Sequence, residues 1–237
     1  MKRIVLAGIA AAGLAVTSHA QSFPSVNKVA FVPVTIPANG GLVMCALNVS
    51  KMGGDGTITL SRLFGTNQLI KANFASQATA IYVWNGATYT TSYQKPSGQM
   101  MNDVTLAPGQ AFWIKSVSTQ PTNHTVYLAG EVNTAGQVQR PHSPGLAMMG
   151  SPYGGSWDLN ALETVNWTNA GAKAANFASQ ADSIYLWTGS TYTTYFLKPD
   201  NQWHYGVGGA IVTNPIPAGT AFWYLTRQGF TCAINGP

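Results

Sequence analysis

The sequence predicts an all-β protein built from two tandem homologous units, each a β-sandwich-like or partly open barrel fold with at most one short helical turn. Three observations lead there. A long segment recurs within the chain, the recurring parts are short β-branched and aromatic runs between turn residues, and charge is scarce. Charged residues make up only 8% of the 237 residues while hydrophobic ones make up 46%, with 7 Trp, 10 Tyr and 9 Phe. That balance excludes a disordered chain, which needs low hydrophobicity and high charge. It also excludes a coiled coil, which consumes Glu, Lys and Leu in heptads.

The repeat is explicit. Asn73-Phe74-Ala75-Ser76-Gln77-Ala78 returns as Asn176-Phe177-Ala178-Ser179-Gln180-Ala181, and at the same offset Ile81-Tyr82-Val83-Trp84 returns as Ile184-Tyr185-Leu186-Trp187. Over residues 73–96 and 176–199, 16 of 24 positions are identical. After an insertion in the second copy, Gly109-Gln110-Ala111-Phe112-Trp113 matches Gly219-Thr220-Ala221-Phe222-Trp223, and Gly41-Leu42-Val43-Met44 more weakly matches Gly145-Leu146-Ala147-Met148. The chain therefore divides into residues 1–20, a first unit over 21–135, a linker over 136–144 rich in Pro, Gly and polar residues, and a second unit over 145–237.

Taken in order, Val29 to Ile36 alternates and is β-branched, and Pro33 and Pro37 mark an edge strand or its end. Leu42 to Val49 is a continuous apolar run, as in a buried strand. Leu60, Leu63 and Phe64 fall on one face of a helical turn over Thr59 to Phe64; its partner in the second unit is Asp158 to Val165, with Asp158 as N-cap. Ile81 to Trp84, Asn85-Gly86 and Thr88 to Tyr93 read as a hairpin, repeated around Thr188-Gly189. Ala111 to Val117 follows a Pro108-Gly109 turn, and Thr125 to Val132 completes the first unit. Short strands at such intervals indicate a sandwich or an incomplete barrel.

The opening Val29-Ala30-Phe31-Val32-Pro33-Val34-Thr35-Ile36-Pro37-Ala38, the Tyr82-x-Trp84-x-Gly86-x-x-Tyr89 hairpin and the Pro108-Gly109-Gln110-Ala111-Phe112-Trp113 strand resemble a group of exported bacterial tandem-repeat proteins. Members of that group carry an early VGFVNVTVP strand, a YxxxGxxYTTY hairpin and an LxPGQGFWI strand. The resemblance covers most of the chain and implies architecture and export; it implies no activity and assigns no functional residue. This chain departs from the pattern in Ala30, where the group tends to Gly, and in its two cysteines.

Residues 1–20 read as a secretory signal: Lys2 and Arg3, an apolar stretch from Ile4 to Val16, then Ser18-His19-Ala20 for cleavage. An exported chain without a later membrane span is expected. Loss of Lys2 and Arg3 leaves ten basic and seven acidic side chains, the basic ones scattered singly. Without a cluster that neutralises several phosphates together, nucleic acid is not an expected partner. Cys45 and Cys232 are open to two readings. An oxidising compartment favours a disulfide between them, worth on the order of 5 kcal/mol in the chain-entropy model; alternatively both are small buried apolar residues.

Chemistry is sparse. The acidic residues Asp55, Asp103, Glu131, Asp158, Glu163, Asp182 and Asp200 show no spacing that nominates a glycosidase pair. Asp158 and Glu163, five positions apart, do not share a helix face. His124, His142 and His204 do not recur between copies, and there is no Gly-x-Ser-x-Gly elbow, no Cys-x-x-Cys, no His-x-His and no Asp-rich calcium loop. No catalytic residue, cofactor or metal is expected, and an enzyme ranks last.

The aromatics carry what functional signal there is. Phe74, Tyr82, Trp84, Tyr89, Phe112 and Trp113 are all duplicated, which favours packing within or between the units. The unduplicated Tyr153, Trp157, Trp167, Trp203 and Tyr205 are the candidates for an open surface that stacks on sugar rings. The leading expectation is a non-catalytic exported protein of cell-surface or matrix structure and adhesion that self-associates through weakly protected strand edges. The alternative is a carbohydrate-binding protein whose partner is a surface polysaccharide.

Overall fold

The computed structural model describes residues 28–51, 56–206 and 209–236. The segment 1–20 read as a signal and the Asp55 turn lie outside the described residues. The first unit begins with β1 (Val29–Ile36), which pairs antiparallel with β10 (His124–Val132); β3 (Val49–Ser50) continues that sheet in the order β1-β10-β3. A second sheet has the order β2-β9-β5-β6-β7, from β2 (Leu42–Ala46), β5 (Ala80–Trp84), β6 (Tyr89–Gln94), β7 (Met100–Met101) and β9 (Ala111–Lys115). The short pair β4 (Ile58–Thr59) and β8 (Thr105–Leu106) lies beside the helical turn α1 (Leu60–Phe64). Pro33 falls in β1, an edge strand, where its missing N–H costs no ladder bond.

Period-two alternation builds the core. Ile81 and Val83 of β5, with Phe112 and Ile114 of β9, face Val34, Ile36, Val126 and Leu128 of the first sheet, and Leu60, Leu63 and Phe64 of α1 close that cluster. Phe64 meets Phe112 edge to face at 6.2 Å.

The second unit repeats the plan. Its large sheet has the order β12-β17-β13-β14-β15-β16, from β12 (Gly145–Gly150), β13 (Ser183–Trp187), β14 (Tyr192–Leu197), β15 (Trp203–Tyr205), β16 (Ala210–Ile211) and β17 (Ala221–Thr226). Opposite it, β11 (Gln137–His142) pairs antiparallel with β18 (Phe230–Asn235), as β1 pairs with β10.

Three expectations need correcting. Residues 137–142, read as linker, form β11, because unit two needs a first strand to cover its core and Val138 packs against that core. The apolar run from Leu42 to Val49 is not one strand: it turns at Leu47-Asn48, leaving β2 in one sheet and β3 in the other. Asp158 to Val165 is a series of turns, and the helical turn of the second unit is α2 (Trp167–Ala170), capped by Asn166, whose side chain accepts from Asn169 N. Its bulky Trp167, fully buried, does by itself what three side chains of α1 do in the first unit. Of the two readings of the cysteines, the structure agrees with the second: Cys45 and Cys232 are both free and both buried. Each unit closes its own core, so the thiols are sealed in different clusters. Burial raises both, Cys232 to about 11, where Arg140 opposes the shift.

The two large sheets meet through a third apolar cluster of Met44, Ala46, Ala111 and Trp113 with Met148, Ala221 and Trp223. The contacts come in equivalent pairs: Trp84 meets Trp223 and Trp113 meets Trp187, both at 5.7 Å and edge to face. Ala46 N donates to Gly219 O at 2.8 Å, and Gly150 N to Gly109 O at 3.0 Å. The units are thus related by a pseudo-two-fold axis. Near it, a Cβ on Gly150 would stand 2.4 Å from Ala46 Cβ, so one of the two facing positions must lack a side chain.

Candidate functional site

The unduplicated aromatics do not form an open platform. Trp167 and Trp203 are fully buried, and Trp157 and Tyr153 nearly so. Trp157 stacks on Trp167 at 5.8 Å, and Trp167 meets Trp203 at 5.3 Å, edge to face. Trp167 Nε1 donates to Leu159 O at 3.0 Å and the Tyr153 hydroxyl to Ile234 O at 3.1 Å. These rings are the core of unit two. Only Tyr205 is exposed, beside Tyr195 at 6.3 Å over a shallow groove with Thr193 and Asn214.

The open aromatic surface lies instead at the junction of the units and is made of duplicated rings. Leu42, Tyr82, Tyr89, Trp113 and Lys115 supply one wall of a cleft of about 390 Å³; Trp187 and Tyr192, from the facing hairpin, supply the other. Strand alternation explains the placement. Ile81 and Val83 point into the first core, so Tyr82 and Trp84 must point to the opposite face, where the second unit lies. Each hairpin holds its own pair of rings: Trp84 and Tyr89 are 5.0 Å apart, as are Trp187 and Tyr192. The Tyr89 hydroxyl reaches Met148 Sδ at 4.0 Å, crossing the junction. Burial raises the Tyr89 phenol above its ordinary value, a hydrogen bond with Trp113 opposes this, and Tyr192 adds to it. The Tyr89 phenol is therefore a neutral donor at physiological pH, set among ring faces. Such a cleft, apolar with a few hydroxyls, is chemically suited to a ligand with an apolar face and polar rim.

Duplication predicts that these rings are packed away. Tyr82, Trp113 and Trp187 do pack, but Tyr89 and Tyr192 remain open to solvent. The same inference fails for Phe74 and Phe177, which are 65% and 67% exposed on turns with the same Asn-Phe-Ala-Ser-Gln sequence.

Elsewhere polar groups are engaged in structure. His142 Nε2 lies 3.3 Å from Cys232 Sγ, but both are buried, the ring stacked on Phe230 at 4.8 Å. Burial, and secondarily Arg140, lower the imidazole to about 4 while the thiol is raised, the reverse of what an activated nucleophile needs. Asp182 accepts from the Tyr224 hydroxyl at 2.9 Å, Arg227 N at 2.6 Å and Lys173 N at 3.1 Å. Asp103 accepts from Ser61 N and its hydroxyl, and Asp200 from His204. Among the described residues no three His, Cys, Asp or Glu converge as a metal site, and no helix is long and apolar enough to cross a membrane. No family model, curated protein or solved structure matches this chain.

Proposed function

We propose that this chain is a non-catalytic, exported carbohydrate-binding protein acting in surface adhesion, and that it holds a sugar in the cleft between its two units. The observation that carries the reading is that cleft: ring faces from both units, with two tyrosines, Tyr89 and Tyr192, open to solvent. The C–H face of a pyranose is apolar and its edge is a ring of hydroxyls, so it matches both features. Pre-packed rings also lose little side-chain freedom on binding, which favours affinity.

Affinity electrophoresis through gels cast with surface polysaccharides, followed by titration calorimetry with the retarding glycan, tests this. Tyr192→Ala removes an exposed ring, and Trp187→Ala removes a wall. Each should weaken binding about tenfold or more, a loss of roughly 1–2 kcal/mol for one stacked ring, with the melting temperature nearly unchanged for Tyr192→Ala. Retention by no polysaccharide, or retention indifferent to both substitutions, overturns the reading.

A second reading, self-association into a surface layer, is favoured by Phe74 and Phe177, two exposed rings at equivalent positions. Light scattering that shows concentration-dependent assembly, lost in the Phe74→Ser/Phe177→Ser double variant, would support it.

A further inference from the structure

We infer that the cleft is selective for acidic sugars, with Lys115 binding the carboxylate of a hexuronic acid while the pyranose lies against the rings of Trp187 and Tyr192. This inference rests on the carbohydrate reading above and narrows it to one ligand class. Among the described residues Lys115 is the one charged side chain in the cleft wall, on the strand that also carries Trp113. It is exposed, and no carboxylate pairs with it among the described residues. Its ammonium group is therefore available to an anion at the mouth of the cleft.

The duplication provides an internal control. Leu42 pairs with Lys115 across β2 and β9, and the equivalent pair across β12 and β17 is Leu146 with Leu225. The charge is thus present on one side of the pseudo-two-fold axis only. Ring packing between the units needs no cation, since the Trp84–Trp223 contact is made without one on the Leu225 side. Lys115 is an addition to a surface that is otherwise duplicated, and its chemistry complements a carboxylate.

The test compares four uronate-containing polysaccharides (alginate, polygalacturonate, hyaluronan and chondroitin) with the same polymers after reduction of the carboxyl to a primary alcohol, which keeps the rings and removes the charge. The full chain should bind at least one native polymer tenfold or more tighter than its reduced form. That preference should shrink in 0.5 M salt and vanish in Lys115→Gln, which should bind native and reduced polymers alike. Equal binding of native and reduced polymers, or a preference that survives Lys115→Gln, overturns the inference and leaves the carbohydrate reading standing. Binding to neither form of any of the four overturns the inference; the carbohydrate reading falls with it only if no other surface polysaccharide is retained. Lys115 is an exposed strand-end residue, so loss of fold is not expected; an unchanged melting temperature for Lys115→Gln checks that.

Discussion

His142 shows how one side chain couples this fold to pH. It is buried between Phe230 and Tyr224 and next to Cys232, and its imidazole is lowered from 6.5 to about 4, mainly by burial. A depressed histidine stabilises the fold fully above its unfolded pKa. That stability is lost as pH falls from about 6.5 to about 4, because the unfolded chain takes up a proton that the folded chain refuses. The loss amounts to roughly 3 kcal/mol. Urea unfolding at a series of pH values should show that acid slope, and His142→Phe, which keeps an aromatic ring in the stack, should flatten it.

At the scale of elements, the junction depends on the ends of β2 and β12 lying face to face. Ala46 and Gly150 occupy equivalent positions in the two copies, and only one has a side chain. Gly150→Ala would set a new Cβ 2.4 Å from Ala46 Cβ and 2.8 Å from Thr220 O, so the sheets must separate. A loss of about 1–3 kcal/mol is expected, as for overpacking elsewhere. The exchange Ala46→Gly/Gly150→Ala should recover most of it, because the pseudo-two-fold turns one arrangement into the other. Chemical denaturation of the two single variants and the double variant measures that coupling. No recovery would show that the strand ends are not equivalent.

For the whole molecule, the faces that meet at the junction are apolar on both units and built from equivalent residues. A separated first unit, residues 28–135, would expose Met44, Ala111 and Trp113 to water. The surface is self-complementary about the axis except at Ala46, whose Cβ would meet its own copy where the second unit has Gly150. The fragment carrying Ala46→Gly should therefore pair with a second copy of itself. Sedimentation should show a dimer, and adding Trp113→Glu should convert it to a monomer. A monomeric Ala46→Gly fragment would contradict the pseudo-symmetric account.

Much of the architecture was legible in the residues. The internal repeat, the hairpins around Asn85-Gly86 and Thr188-Gly189, the edge strand with Pro33 and the turn from Leu60 to Phe64 all follow from local chemistry and periodicity, and the structure has them where the pattern predicts. What periodicity could not decide was which body covers each face. Tyr82 and Trp84 were visibly on one side of a strand, yet whether that side met solvent, its own unit or the other copy is a question of packing at distances of many residues. The same is true of Trp157, Trp167 and Trp203, whose lack of counterparts reflects a core refilled in the second unit, and of Cys45 and Cys232, sealed in separate cores. Local sequence determined the strands and their copying, because strand and turn preferences act over a few residues. Only the tertiary structure decided that the duplicated rings would form a cleft, because a cleft exists where two independently closed surfaces meet without filling the space between them.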